Sequence, residues 1–319
     1  MMNARYVISN MLESVGANAA VLAARRNSLA VLCYHRVLDA GDPARTRTHP
    51  ALITSTRAFE EQMRIITDLF EPVTLTEALR WLDGHCGIPR RAVLLTFDDG
   101  WSDNYTNALP IMDRLGVPGV VFLATGLIGT NERQWADAAY ESMAAHAGLD
   151  AASRELDRLK HMSSRLARSA LDCGVTRRLA QPPNLDWPQV REMAAHGFEF
   201  GSHTRSHIIL PCESNDDVLD ELRASAEDIE MRIGCAPTAF AYPDGQYDRR
   251  ATRLVEQSGH RCALTIDEGL VTRKSARFAL PRLSIHDGVC TTPSGEFSRA
   301  MFLTYLAGTI PWRYRRRVR

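Results

Sequence analysis

No run of about 18 apolar residues occurs in this chain, so the sequence offers no self-evident membrane span. An excess of one charge is missing too. The 38 Lys and Arg balance 38 Asp and Glu, which leaves no global field to draw in nucleic acid or a polyanion. Seven cysteines in 319 residues are an odd number, scattered, with no Cys-x-x-Cys. That pattern argues against a disulfide framework and predicts a reducing compartment. The glycines form no phosphate loop and there is no Gly-x-Ser-x-Gly elbow, so a serine esterase finds no support. Glu13, Arg25 and Arg26 break the apolar stretches of the first 30 residues, and no clear cleavage site follows. The expectation is an N-terminal helical arm over 1–29 and a soluble, cytoplasmic enzyme.

What is present is a strand–helix alternation. Candidate strands lie at 30–37, 72–75, 92–97, 119–125, 198–202, 239–242, 262–266 and 282–285. Helical patterns lie between them at 56–70, 76–83, 104–115, 188–196, 216–233 and 248–258. Gly116-Val117-Pro118-Gly119 and Gly234-Cys235-Ala236-Pro237 mark helix ends and strand starts. Such alternation predicts a mostly parallel α/β sheet or barrel. Residues from about 127 to 183 interrupt it with Leu156, Leu159, Met162 and Leu166 at helical spacing. They read as a helical insertion, either packed on the barrel or forming a wall near its site. Trp187, just beyond, reads as a core residue or a sugar platform.

Two clusters carry chemistry. Thr96-Phe97-Asp98-Asp99-Gly100 puts adjacent carboxylates at a strand exit, and His203-Thr204-Arg205-Ser206-His207 supplies two imidazoles four residues apart. Two His and one Asp make a three-ligand set for a divalent metal with open positions. A second Asp beside the ligand can take a proton from water, and together they predict metal-assisted hydrolysis.

Thr-Phe-Asp-Asp-Gly and His-Thr-x-x-His resemble the first two motifs of the NodB-type polysaccharide deacetylases (carbohydrate esterase family 4). Phe240-Ala241-Tyr242-Pro243-Asp244-Gly245 is similar to the third, in order. The resemblance extends over roughly residues 30 to 290. It implies an α/β fold, a distorted, incomplete (β/α) barrel carrying a helical insertion, with chemistry on the loops after the strands. It also implies Asp99, His203 and His207 as metal ligands and Asp98 as general base. Tyr242 would use its backbone N–H to help hold the oxyanion, and His286 would be the acid. The metal implied is Zn2+, with Co2+, Ni2+ and Mn2+ as alternatives. One departure is Ala241, where many members carry an Arg that orients the base; Arg282 is the candidate substitute. His35 at the first strand's end recurs in similar sequences and is assigned no chemistry.

The expected activity is removal of N-acetyl groups from amino sugars of an oligo- or polysaccharide, in cell-surface or exopolysaccharide biosynthesis. A catalytically impaired carbohydrate-binding relative and another C–N hydrolase on the same fold are the alternatives. The substrate is an N-acetylated saccharide, free, polymeric or lipid-linked. After residue 290 come an apolar helical stripe, Phe297, Met301, Phe302, Tyr305 and Leu306, and a basic tail. The tail has five Arg in its last seven residues, beside Trp312 and Tyr314. It reads either as solvated or as a peripheral contact with an anionic inner-membrane surface.

Overall fold

The computed structural model describes residues 4–170, 179, 183–292 and 294–310. The chain opens with helices α1 (Ala4–Ser14) and α2 (Ala17–Ala24), followed by strands β1 (Leu29–Tyr34), β2 (Arg36–Leu38) and β3 (Ile53–Ser55). Helix α3 (Thr56–Leu69), strand β4 (Glu71–Pro72) and helix α4 (Leu75–Leu82) lead to the central strand β5 (Ala92–Asp99). A π-helical turn at Asn104–Ala108 runs into α5 (Leu109–Leu115), and β6 (Val120–Leu123) follows. The insertion folds as α6 (Trp135–Ala147), α7 (Leu149–Leu159) and α8 (Ser164–Ala170). Then come α9 (Trp187–Ala195), β7 (Glu199–Ser202), α10 (Asn215–Ile233), β8 (Ala239–Ala241), α11 (Arg249–Gln257) and β9 (Cys262–Leu264). Strand β10 (Leu283–Ser284), the short α12 (Asp287–Cys290) and α13 (Arg299–Ala307) complete it.

The main sheet is parallel throughout, in the order β10-β1-β5-β6-β7-β8-β9. It curls back on itself, because Leu280, three residues before β10, bridges Leu264 at the end of β9. Backbone hydrogen bonds across this seam run from Leu280 N–H to the Ala263 carbonyl, from Thr265 N–H to that of Leu280 and from Arg282 N–H to that of Asp267, each at 2.9 Å. On one side of β5 two strands share the edge: β4 pairs at Ala92 and Val93, and β6 takes over from Thr96 to Asp99. Partial closure and a shared edge make this the distorted, incomplete barrel that the family resemblance implies. The pair β2–β3 stands apart as a small parallel sheet.

All eight residues of β5 are buried, and their alternation sorts them into two layers. Ala92 and Leu94 join Val31, Phe122, Ala241 and Leu264 inside the barrel. Val93, Leu95 and Phe97 face outward, under Phe59 and Met63 of α3 and Met112 of α5. Strands buried on both sides read as continuous apolar runs, which is why they were legible. The helices begin where side chains cap them. Thr74 and Glu77 form a capping box on α4, Asp186 and Gln189 do the same on α9, and Ser214 caps α10. Each such cap is worth about 1 kcal/mol.

Three details differ from the sequence reading. The predicted strand 30–37 is broken at His35, where the chain leaves β1 and pairs anew as β2 with β3. Leu166, expected on the apolar stripe of the insertion, is 57% exposed, while Leu156 and Leu159 pack with Trp135, Tyr140 and Ile209. Helix α13 is buried on every side from Ala300 to Ala307 rather than along one stripe. Phe302, Leu303 and Leu306 belong to the outer core together with Leu22 of α2. Trp187 starts α9 partly buried against that same core, with the Arg232 guanidinium 5.7 Å from its ring centre. Among the described residues no single helix is long and apolar enough to cross a membrane; α1 and α2 together pass by composition but are bent by 70°. The basic tail, 311–319, lies outside the described residues.

Candidate metal centre and active site

Three strand ends converge. Asp98 and Asp99 close β5, His203 directly follows β7, and Tyr242 directly follows β8. Asp98 continues the inward face of Leu94 and Thr96. Asp99 would by alternation point outward, but its φ of 78° swings it back toward the mouth of the barrel. Gly100 follows at φ 76°, and a Cβ there would lie 2.9 Å from the side chains of Leu123 and Ile128. Thr204 and His207 also have positive φ, 64° and 56°. Such backbone costs on the order of 1–3 kcal/mol per residue and persists only where surroundings enforce it. Here Glu221 of α10 accepts from the N–H groups of Arg205 and Ser206 at 2.8 and 2.7 Å. The carbonyls of Thr204 and Arg205 are held by Thr125 and Gly126 N–H at 3.2 and 2.8 Å.

The result is a triangle of lone pairs. Asp99 Oδ1 lies 3.4 Å from His203 Nε2 and 3.3 Å from His207 Nε2. All three side chains are buried. A tetrahedral ion with ligands at about 2.0–2.1 Å would require ligand-to-ligand edges of about 3.3–3.4 Å. His203 Nδ1 donates to the Ala241 carbonyl at 2.7 Å, which leaves the Nε2 lone pair toward the centre, as a metal ligand needs. Asp99 Oδ1 has no hydrogen-bond partner among the described residues. Its other oxygen accepts from Trp101 Nε1 at 2.9 Å. The donor set, its spacing and the orphaned oxygen fit a divalent metal.

Trp101 is itself held. The Arg36 guanidinium stacks 4.3 Å from its ring centre and is fixed by Asp103 at 2.9 Å. Burial raises the Asp103 carboxyl despite the Arg36 charge beside it. Asp103, Arg36 and Trp101 thus form a brace that ends on the candidate ligand Asp99. Trp101 and Asp103 lie in the loop after the Asp-Asp pair, and Arg36 lies after β1. Nothing in their spacing marked them as a unit.

Asp98 has a separate partner. Arg282, fully buried, donates to its two oxygens at 2.7 and 2.6 Å. The same guanidinium reaches Thr96 Oγ1 at 3.1 Å and the Thr265 carbonyl at 2.8 Å. Burial by itself would raise the Asp98 carboxyl, but Arg282 and then His203 outweigh it and lower it to about 2. The cation missing at Ala241 is therefore present at Arg282, entering the barrel from the strand on the far side of β1.

His35, assigned no chemistry from the sequence, is brought to the same place. Its ring, Cys33 Sγ and an Asp98 oxygen lie within 4.8 Å of one another. Burial lowers the His35 imidazole, with Asp99 and Asp98 acting in the opposite sense. The signal was positional: His35 ends the strand that neighbours β5.

His286 follows β10, which runs beside β1 with Ser284 opposite Cys33. Its Nδ1 accepts from Gly288 N–H at 3.2 Å and caps α12. Burial lowers it to about 4, with Asp287 opposing and His35 adding to the fall. The role expected of Tyr242 meets an obstacle. Its backbone N–H is already donated to the Leu264 carbonyl at 3.1 Å in the β8–β9 ladder. Its hydroxyl donates to the Phe278 carbonyl at 2.9 Å. Both donors are spent on the fold because β8 is followed directly by a turn that must stay registered to β9. The turn is tight: a Cβ on Gly245 would fall 2.2 Å from Ile266.

A curled parallel sheet with candidate chemistry at its strand ends is the architecture of a barrel-type α/β protein. Residues 87–263 match the polysaccharide deacetylase family, and the chain belongs to that family. The Bacillus subtilis protein YxkH, named for the same family, is 23% identical over 274 residues, covering 86% of this chain and 77% of its own. The Streptococcus pyogenes deacetylase PplD, solved with acetate, superposes with a TM-score of 0.61 at 20% identity, covering 85% of this chain and 97% of that one. A de-N-acetylase from Aggregatibacter actinomycetemcomitans gives 0.62 at 17% identity, covering 87% and 99%.

Proposed function

We propose that this deacetylase is a metal-dependent hydrolase that removes N-acetyl groups from amino sugars of an oligo- or polysaccharide. The observation that carries the reading is the Asp99–His203–His207 triangle beside an Asp98 held ionised by Arg282. Asp99, His203 and His207 would hold the ion, with Zn2+ the first choice for two imidazoles and a carboxylate. When bound, such an ion supplies Lewis acidity toward an acyl oxygen and makes water more acidic.

The chain's own groups account for the proton traffic. Asp98 is the proposed general base, since a carboxylate clamped by Arg282 remains ionised and still offers lone pairs outside the fork. His286 is the proposed acid toward the departing amine. Its Nδ1 accepts from Gly288 N–H in the neutral ring, so the acid form would be the imidazolium, reached when the ring takes up a proton during turnover. Tyr242 is proposed only as the residue that fixes the turn after β8, because its donors are committed elsewhere.

The reading is supported by the family match and by the acetate bound to PplD. It places the substrate in cell-surface or exported polysaccharide, polymeric or lipid-linked, and keeps the tail 311–319 as a contact for anionic vesicles. The test is acetate release from a panel of free, polymeric and lipid-linked N-acetyl sugars, with and without chelator. Acetate release abolished by chelator and restored by Zn2+ supports the proposal. Release unaffected by complete metal removal overturns it.

A further inference from the structure

Beside the metal centre the helical insertion closes over a cavity of about 350 Å³, bounded by Arg36, Trp101, Asp103, Arg133, Asp137 and Leu179 among others. Most of its charged groups are spoken for. Arg36 pairs with Asp103, and Arg133 pairs with Glu141. Asp137, in the first turn of α6, is different. It is 7% exposed, and its Oδ2 has no hydrogen-bond partner among the described residues. A buried carboxylate oxygen that no donor meets costs about 1–3 kcal/mol, so it persists where something other than stability retains it.

The position of Asp137 says what that is. After burial, the strongest influence on its carboxyl is the Asp99 charge, followed by Arg36, Arg133 and Lys160. Asp137 lines the same cavity as Trp101, whose Nε1 donates to Asp99 Oδ2 at 2.9 Å, which puts the carboxyl on the insertion side of the proposed metal site. The insertion itself is anchored across the mouth. Lys160, at the end of α7, pairs with Asp244 of the turn after β8 at 2.5 Å. His49 Nε2 meets Ser153 of α7 at 3.1 Å. A cavity with guanidinium donors, carboxylate acceptors and the apolar surfaces of Trp101 and Leu179 suits a sugar, whose hydroxyls alternate with C–H faces.

We infer that Asp137 is a sugar-binding, specificity-determining residue, accepting hydrogen bonds from ring hydroxyls of the acetamido sugar while the acetamide lies at the metal centre. This inference rests on the reading of the site as an N-acetyl amino sugar deacetylase. A site built to hydrogen-bond a hydroxyl discriminates strongly against analogues lacking it, because its buried acceptor would go unpaired. The carboxylate also has a cost in the free protein that substrate relieves.

The test compares wild type with Asp137→Asn and Asp137→Leu in the full chain, with an N-acetylglucosamine trimer as probe. Expected are a KM raised about 10-fold or more in both variants, with kcat within about threefold and metal content unchanged. Independently of any substrate, Asp137→Asn should raise Tm at pH 8 by about 2 °C, since a buried charge beside Asp99, with an oxygen that no donor meets, is removed. A fall in kcat at constant KM, loss of metal, or a lowered Tm would each overturn the inference. So would an effect confined to inhibition by glucosamine, which would assign Asp137 to the product amine. If wild type releases no acetate from any N-acetyl sugar, the function reading fails. The Tm comparison still decides whether Asp137 is retained against stability.

Discussion

Arg282 and Asp98 form a two-pronged pair inside the barrel, with N–O distances of 2.7 and 2.6 Å and neither side chain more than 3% exposed. The two residues are 184 positions apart in sequence, and β1 lies between their strands. The geometry makes the pair both a fold contact and a setting for the proposed base.

Removing one partner should therefore cost more than removing both. Arg282→Met strands a buried carboxylate, and about 3–5 kcal/mol of stability should be lost. Arg282→Met combined with Asp98→Asn should recover much of that while remaining inactive. Urea unfolding of the three proteins measures it. Equal midpoints for the single Arg282 variant and the double variant would show that the two side chains are not coupled.

Ligand and base should separate in a metal assay. His203→Ala and His207→Ala each remove one corner of the triangle, so metal content should fall steeply while the far-ultraviolet circular dichroism stays near wild type. Asp98→Asn keeps all three corners and should retain metal, yet lose roughly 10²–10⁴-fold in turnover. Stoichiometric metal in either His variant would sink the assignment, and so would metal loss in Asp98→Asn.

Asp98–Asp99 were legible because they close a strand whose burial on both faces leaves the apolar run Ala92–Leu95; His203–His207 were legible from the spacing of the two imidazoles just after Phe198–Ser202. The register of those strands was not legible, and register decides which groups meet. Arg282 could be named as a candidate from its neighbourhood, but its pairing with Asp98 depends on β10 lying beside β1. His35 looked like a strand residue. It is in the site because the chain breaks at that point to start a second sheet. Tyr242 carries the right motif, yet its N–H is consumed by the ladder to β9, a fact set by pairing rather than by sequence. One face of α13 was legible as the stripe Met301, Phe302, Tyr305 and Leu306, but the burial of its other sides was not. A helix apolar on all sides shows no periodicity that separates core from surface.

The brace behind Asp99 yields a prediction about the metal alone. Trp101→Phe removes the N–H that holds Asp99 Oδ2 while leaving a ring for Arg36 to stack on. Loss of such an outer hydrogen bond typically costs 10–100-fold in metal affinity. Competition with a fluorescent zinc chelator gives the affinity directly. An unchanged value would mean that the indole serves packing only.

His260 sets an acid limit on stability, far in sequence from the proposed ligands. It is 5% exposed, its ring meets Phe240 edge-on at 5.5 Å, and its Nε2 has no partner among the described residues. Burial lowers it to about 4, against about 6.5 in the unfolded chain. The unfolded state thus binds this proton first as pH falls, so stability is full above pH 6.5 and declines between 6.5 and 4. Over that window the loss from this one group should be about 3 kcal/mol. His260→Phe cannot take up the proton, so its Tm should fall less than that of wild type between pH 7 and pH 4.5. Parallel Tm curves for the two proteins would show that His260 does not couple folding to acid.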